Sequence, residues 1–421
     1  MANVADTMPD PMTGEDGIPL KTKLRIAERR NRIKAALLVL PLFAFILVTF
    51  LVPIGQMLYR SVENNIIADN LPRTIELLSE WDGNNLPPEP VFETMVAELK
   101  IARETKEIGK IGKRLNYEMS GMLSLFKKSG RKVRKLETGP YKEALIKIDK
   151  DWGDPEVWAT IKQVSDRITG SYYLAAVDLK RSPQGEIVAQ PDYKQIYVSL
   201  FIKTLWISLL VTMTCILLGF PVSFLLSNLP MRTSNLLMIL VLLPFWTSLL
   251  VRTTSWIALL QSEGMINDLL VTIGFIGDDE RLKMMFNQTG TIIAMTHILL
   301  PFMILPLYSV MKTISPSYVR AARSLGANPF TAFWRIYFPQ TLPGIGAGSI
   351  LVFILSIGYY ITPALVGGQD GQLISNLIAY HMQSSLNWGL AAALGSILLA
   401  GVLVLYMIYN KIVGIDNMKL G

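Results

Sequence analysis

The chain has 421 residues, 51% of them hydrophobic, with a mean hydropathy of +0.37 and a formal net charge of +7. That is too apolar for a soluble chain of this size and requires several membrane-spanning segments. One cysteine, Cys215, and two widely separated histidines, His297 and His381, exclude a disulfide framework and a Cys/His metal site.

Residues 1–34 read as a basic tail. Its first 20 residues are polar and predicted to be disordered, and Lys21 to Lys34 form the strongly basic run KTKLRIAERRNRIK. An apolar span follows at 35–58, too long for a signal-peptide core and without a small-residue cleavage site, so it is expected to remain as an anchor. Residues 59–195 form a long polar insert with interleaved charges. Helical patterns are predicted at Leu71–Trp81, Val91–Phe126, Tyr141–Ile148 and Pro155–Ile168. Alternating pieces at Tyr172–Leu179 and Gly185–Val188 predict a hairpin around Ser182–Gly185. The basic run Arg131–Lys135 reads as a solvated face, and the insert carries no catalytic constellation.

Five further spans are predicted at Ser199–Leu226, Leu236–Leu260, Thr291–Met311, Ile345–Thr362 and Leu390–Lys411, followed by a short tail at 413–421. The expected architecture is all-α: six transmembrane helices with a large insert after the first. Lysines and arginines flank the first span and occupy the 227–235 loop, the 315–343 loop and the tail, whereas acids dominate the shorter loops opposite. This bias predicts both termini and the 315–343 loop in the cytoplasm and the insert outside.

The 315–343 loop reads as a helix-turn-helix. Ser315 and Pro316 suit a helix start, and Gly326 suits a stop in the left-handed conformation. Asn328 and Pro329 repeat the start signal, and Pro339 is predicted to end the second helix. Tyr318, Ala321, Ala322 and Leu325 form one apolar face, and Phe330, Phe333, Trp334 and Tyr337 another.

This spacing resembles the signature loop of permease subunits of binding-protein-dependent ABC importers, with Ala321, Ala322, Gly326, Ile336 and Pro339 in the matching positions. Arg320 stands where that family usually has glutamate. Two stretches, Pro244–Leu270 and Ala364–Met382, look like the spermidine/putrescine branch. The resemblance implies a coupling helix seated on a partner ATPase, carried by Arg320, Ala321, Ala322, Leu325, Gly326, Ala327 and Phe330. No GxxxxGK[ST] motif occurs, so this chain supplies no nucleotide site, and ATP and magnesium are expected in the partner. The resemblance further implies an ATPase dimer, a second homologous permease, a periplasmic substrate-binding protein and the bilayer of a bacterial inner membrane as partners, with no nucleic acid. Covalent chemistry is not expected.

Candidate pathway residues are Trp246, Arg252, Glu263, Tyr359, Tyr360 and Asp370. Arg252 is the basic residue well inside a predicted span, where charge is costly unless it faces the bundle or a cavity, with Glu263 placed three turns on along roughly the same face. Aromatic faces at Trp246, Trp256, Tyr359, Tyr360 and Trp388 can bind an alkylammonium, although Trp256 and Trp388 also suit a membrane-interface belt. Gly344 and Gly348 suggest tight helix packing. Gly367–Gly371 reads as a loop or gate. The expected solute is a polyamine. The alternative within transport is an opine or another amino-acid derivative, and a receptor with a periplasmic sensor is disfavoured because no signalling domain follows the last span.

Overall fold

In the computed structural model, residues 20–83, 85–182 and 184–413 are described, and the two predicted terminal tails lie largely outside them. The chain divides into two units, 1–59 and 60–421.

In the first unit, α1 (Leu20–Ile46) carries the basic run and continues past Pro41 into the apolar stretch. The basic segment from Leu20 on is therefore helical and continuous with the apolar stretch. A five-residue π turn, Leu47–Leu51, joins α1 to α2 (Val52–Arg60). Such a turn relaxes the ladder that a mid-helix proline interrupts.

The second unit starts with the insert. Its helices are α3 (Asn65–Asn70), α4 (Pro72–Ser79), α5 (Glu89–Glu104), α6 (Ile108–Glu118), α7 (Met122–Lys132), α8 (Tyr141–Ile148), α9 (Pro155–Gln163) and α10 (Ser171–Ala176). The single pattern expected over Val91–Phe126 is thus three helices, and that over Pro155–Ile168 stops at Gln163. The apolar faces of α3 to α9 meet in one core around Phe92, Phe126, Trp152 and Trp158, with Phe92 and Trp158 edge to face at 4.6 Å, whereas Tyr172 and Ala176 of α10 pack with Tyr197, Ile374, Leu390 and Leu394. Both buried indoles are satisfied: Trp152 Nε1 donates to Ser129 Oγ at 2.8 Å and Trp158 Nε1 to the Trp152 carbonyl at 3.0 Å. Two carboxylates cap helices from a distance in sequence. Glu98 accepts from the Arg73 and Thr74 amides at the start of α4, and Glu89 from the Tyr141 and Lys142 amides at the start of α8. Burial still pushes the Glu98 carboxyl above the usual carboxylate range. The entry and exit of this domain pair with each other, through Asn64 N–H to the Arg167 carbonyl and Thr169 N–H to the Val62 carbonyl. Arg131, Lys132, Arg134 and Lys135 are exposed, as the solvated-face reading requires.

The alternation at Tyr172–Leu179 misled: residues 171–176 are helical. The hairpin itself forms, with β1 (Leu179–Arg181) antiparallel to β2 (Ile187–Ala189) and Gly185 at φ +90° in the turn. Asp178 then joins insert to membrane domain. Its carboxylate accepts the Ile196, Tyr197 and Val198 amides, capping the long helix that starts at Tyr197 with negative charge at its N-terminus.

The membrane domain is built on α11 (Tyr197–Asn228), α15 (Gln288–Thr313), α18 (Phe338–Gly358) and α21 (Trp388–Val413). Among the described residues, five helices in the whole chain are long and apolar enough to cross a membrane, or six when one bent pair counts as a span. That pair replaces the continuous span expected at Leu236–Leu260. Here α12 (Met231–Leu242) runs into a short 3₁₀ turn, Leu243–Trp246, and the chain bends by 97° into α13 (Leu249–Leu260), which continues through a turn to α14 (Met265–Thr272). Pro244 supplies no amide to the ladder, and Ser248 Oγ accepts the Val251 amide to start a new helix. The expected Ile345–Thr362 span also ends early, at Gly358, and α19 (Ile361–Val366) restarts beyond Tyr359 and Tyr360.

Shared packing holds α11, α15 and α18 together. Ile207, Val211 and Cys215 meet Met295, Leu299, Met303 and Val352 in one buried cluster. Glycine makes the closest approach possible. A Cβ at Gly348 would stand 2.6 Å from Met303 Sδ and 3.2 Å from its carbonyl oxygen, and one at Gly344 3.1 Å from Leu307 Cα. The small-residue pair is therefore a packing device.

Candidate coupling loop and translocation pathway

The loop after α15 begins with α16 (Pro316–Ser324), capped where Ser315 Oγ accepts the Ser317 amide at 3.3 Å. Its end is a Schellman turn. The Gly326 amide donates to the Arg323 carbonyl and the Ala327 amide to the Ala322 carbonyl, both at 3.0 Å, with Gly326 at φ +91°. Asn328 Oδ1 accepts the Thr331 amide at 2.7 Å and starts α17 (Pro329–Ala332).

From there the structure departs from the sequence reading. Pro339 does not end the second helix. A π turn, Phe333–Tyr337, carries α17 straight into α18, giving one apolar helix from Pro329 to Gly358. The Phe338 amide reaches back to the Phe333 carbonyl in the wider ladder, just before the residue that has no amide to give.

The second apolar face divides accordingly. Phe333 and Tyr337 turn inward on Phe220 and Phe224 of α11, with ring centroids 5.4–6.1 Å apart, beside Leu307 and Met311. Phe330 and Trp334 turn outward. The outer surface thus presents Leu325 at 89% exposure, Phe330 at 72% and Tyr318 at 55%, beside exposed Arg320 and Ala321 and half-buried Ala322 and Ala327. Contiguous large apolar side chains on a loop need a partner surface. The fold anchors one side of the loop to α11 and α15 and leaves the other side open.

The pathway candidates do not form one cluster. Trp246 is 76% exposed at the bend, and Glu263 and Asp370 are exposed in loops. The expected pairing of Arg252 with Glu263 is absent, because α13 ends at Leu260 and the chain turns away. Nor is Arg252 deep inside a continuous span: it lies in the first turn of α13, just past the bend. It is half-buried, its Nε is enclosed without a hydrogen-bond partner, and it makes no ion pair among the described residues. It lies within electrostatic reach of His297 and Tyr359.

Residues outside the set of pathway candidates complete this region. Trp256 Nε1 donates to His297 Nδ1 at 3.1 Å, and Thr253 faces Thr362 at 3.4 Å between hydroxyls. Trp256 is therefore tied into the bundle and not simply belted at an interface. The i, i+4 spacing of Arg252 and Trp256 on a helix that starts at Ser248 would have flagged them together, had the break been foreseen. Tyr359 packs on the shared cluster of the three helices, whereas Tyr360 is 40% exposed. Their carbonyls accept from Ser375 Oγ and Asn376 Nδ2 of α20 (Ile374–Gln383), which is why the helix ends there. The Gly367–Gly371 loop lies against α15. Thr291 Oγ1 donates to the Gly371 carbonyl at 3.2 Å, and a Cβ at Gly368 would meet the Phe286 carbonyl at 2.5 Å.

A family described as binding-protein-dependent transport system inner membrane component matches residues 196–413. The chain is 34% identical over 228 residues to the spermidine/putrescine transport system permease protein PotB of Haemophilus influenzae, covering 52% of this chain and 79% of that one. It is 30% identical over 230 residues to the inner membrane ABC transporter permease protein YdcU of Escherichia coli, covering 51% and 71%. Among solved structures it is similar to a bacterial ABC transporter involved in the import of the acidic polysaccharide alginate, at 19% identity and a TM-score of 0.40, covering 53% and 80%. With spans, loop and family match in agreement over just over half of its length, the chain belongs to the binding-protein-dependent transport system inner membrane components, multi-pass permease subunits of ABC importers.

Proposed function

We propose that this permease forms half of the translocation pathway of an ATP-driven importer for polyamines such as putrescine and spermidine. The observation that carries the substrate class is the 34% identity to PotB over 79% of that protein. In this reading the outward face of the 315–343 loop, with Arg320, Ala321, Ala322, Leu325, Gly326, Ala327 and Phe330, seats on an ATPase dimer that holds ATP and magnesium. A second permease completes the pathway, and a periplasmic binding protein delivers the solute. Both termini lie in the cytoplasm and the insert in the periplasm. ATP-driven closure of the ATPase pair favours the outward-facing state, a population shift that needs differential contacts in the two states. The long helix from Pro329 to Gly358 would transmit that shift as one rod. Trp246, Arg252, Glu263, Tyr359, Tyr360 and Asp370 remain the pathway candidates, with Tyr359 and Arg252 the best placed.

Arg252 favours a second reading. A half-buried guanidinium without an ion pair among the described residues repels a polyamine and suits a carboxylate-bearing solute such as an opine or another amino-acid derivative. Uptake of labelled putrescine and spermidine in cells lacking the subunit separates the two. Loss of high-affinity polyamine uptake is the expected result. Unchanged polyamine uptake, with loss of an amino-acid derivative, would overturn the substrate assignment.

A further inference from the structure

Helix α6 places Lys110, Lys113, Arg114 and Tyr117 at helical spacing on one face. Arg114 is 1% exposed, an unusual state for a guanidinium. Its Nε donates to Asn64 Oδ1 at 2.7 Å and its Nη1 to Glu118 Oε1 at 2.9 Å, and it lies over the Tyr172 ring at 4.9 Å. Its Nη2 is enclosed and has no partner. A buried donor left unmade is costly and is rare without a ligand or water to accept from it.

Arg114 lines a cavity of about 450 Å³ at the foot of the insert. Arg60, Lys110 and Lys113 line the same cavity, against one carboxylate, Glu63. Lys110 is held by Glu107 at 2.8 Å, and Glu63 accepts from Asn65. Arg60 and Lys113 form no ion pair among the described residues, so the cavity keeps an excess of positive charge. One part of its wall, Ile66, Leu386 and Trp388, is apolar and lies at the start of the last span. Trp388, the first residue of the last span, is 45% exposed under the Arg60 guanidinium at 5.6 Å, and Leu386 beside it is 56% exposed. A tryptophan at a span end with a cation above it is the usual composition of headgroup depth.

We propose that this cavity binds an anionic phospholipid from the leaflet on the insert's side. The phosphate is held by Arg60 and Lys113, with the buried Arg114 guanidinium behind them adding positive charge, and the glycerol end lies against Trp388 and Leu386. Cationic groups alone would suit a free anion; the exposed apolar side chains in the same wall select a lipid. The inference depends neither on the transported solute nor on which face of the membrane the insert occupies.

The test uses the full-length chain purified in mild detergent and analysed by native mass spectrometry. Added phosphatidylglycerol should remain bound through a delipidating wash where phosphatidylethanolamine does not. Phosphatidylglycerol should also raise the melting temperature, and 10 mM inorganic phosphate should not. The variant Arg60→Gln/Lys113→Gln, which spares the buried Arg114, should weaken phosphatidylglycerol retention by about tenfold or more while melting near wild type without lipid. Equal retention of the two lipids, unchanged retention in the variant, or an equal melting shift from inorganic phosphate would each overturn the proposal.

Discussion

Gly326 offers the sharpest probe of the coupling loop, because the structure separates its backbone role from packing. At φ +91° it sits in the left-handed region, yet a Cβ built there meets nothing within 4 Å. Any effect of substitution therefore comes from the backbone and not from collision. Alanine should cost roughly 1 kcal/mol and valine about 2 kcal/mol, because a branched β-carbon narrows the accessible backbone further. If the loop escapes the strain by unwinding, it forfeits the two Schellman hydrogen bonds, each contributing about 1 kcal/mol. Either route lowers the population of the bent loop by about fivefold for alanine and about thirtyfold for valine. The bundle is held elsewhere, so membrane abundance should stay near normal. Gly348→Ala supplies the contrast. Its Cβ would press on Met303, so it should lower abundance and melting temperature while leaving the loop geometry intact. The assay is co-purification of the ATPase and its stimulation by loaded binding protein in liposomes. Graded loss from wild type through Gly326→Ala to Gly326→Val is expected. Retention of the ATPase and of full stimulation in Gly326→Val would refute the coupling role of this loop.

Two other expectations follow from different parts of the fold. His381, on α20 outside the long spans, is buried between Tyr197 and Ser385, and burial pushes its imidazole down to about 4 from the ordinary 6.5. It is held neutral, so its contribution is full above pH 6.5 and is lost as pH falls toward 4, on the order of 3 kcal/mol at most. Melting temperature should therefore drop more steeply between pH 7 and pH 5 in wild type than in His381→Gln, and parallel slopes would rule this out. A reporter inserted beside Gly83 should be active only outside the cytoplasm, and one fused after Gly421 only inside; the reverse pattern would overturn the topology and the coupling argument with it.

Periodicity and composition alone determined the helical membrane class, the presence of an inserted polar domain, the hairpin and the helix-turn-helix loop. These are local: a capping serine or asparagine, a glycine stop and a run of about 20 apolar residues act within a few turns of their own position. The loop residues from Arg320 to Phe330 were legible for that reason. What escaped depended on distant partners. Hydropathy averages over a window, so it reads Leu236–Leu260 as one span, although Pro244 and Ser248 bend it by 97°. Pro339 carries a stop signal, yet contacts of Phe333 and Tyr337 with α11 hold a π turn that lets the helix run on. Glu98 and Glu89 cap helices 24 to 53 residues away in sequence, a role that no local pattern indicates. Arg252 looked paired with Glu263 by spacing, whereas the turn after Leu260 sets it beside His297 and Tyr359 instead. In each case a single residue type has two stable uses, and only the neighbour brought up by tertiary packing chooses between them.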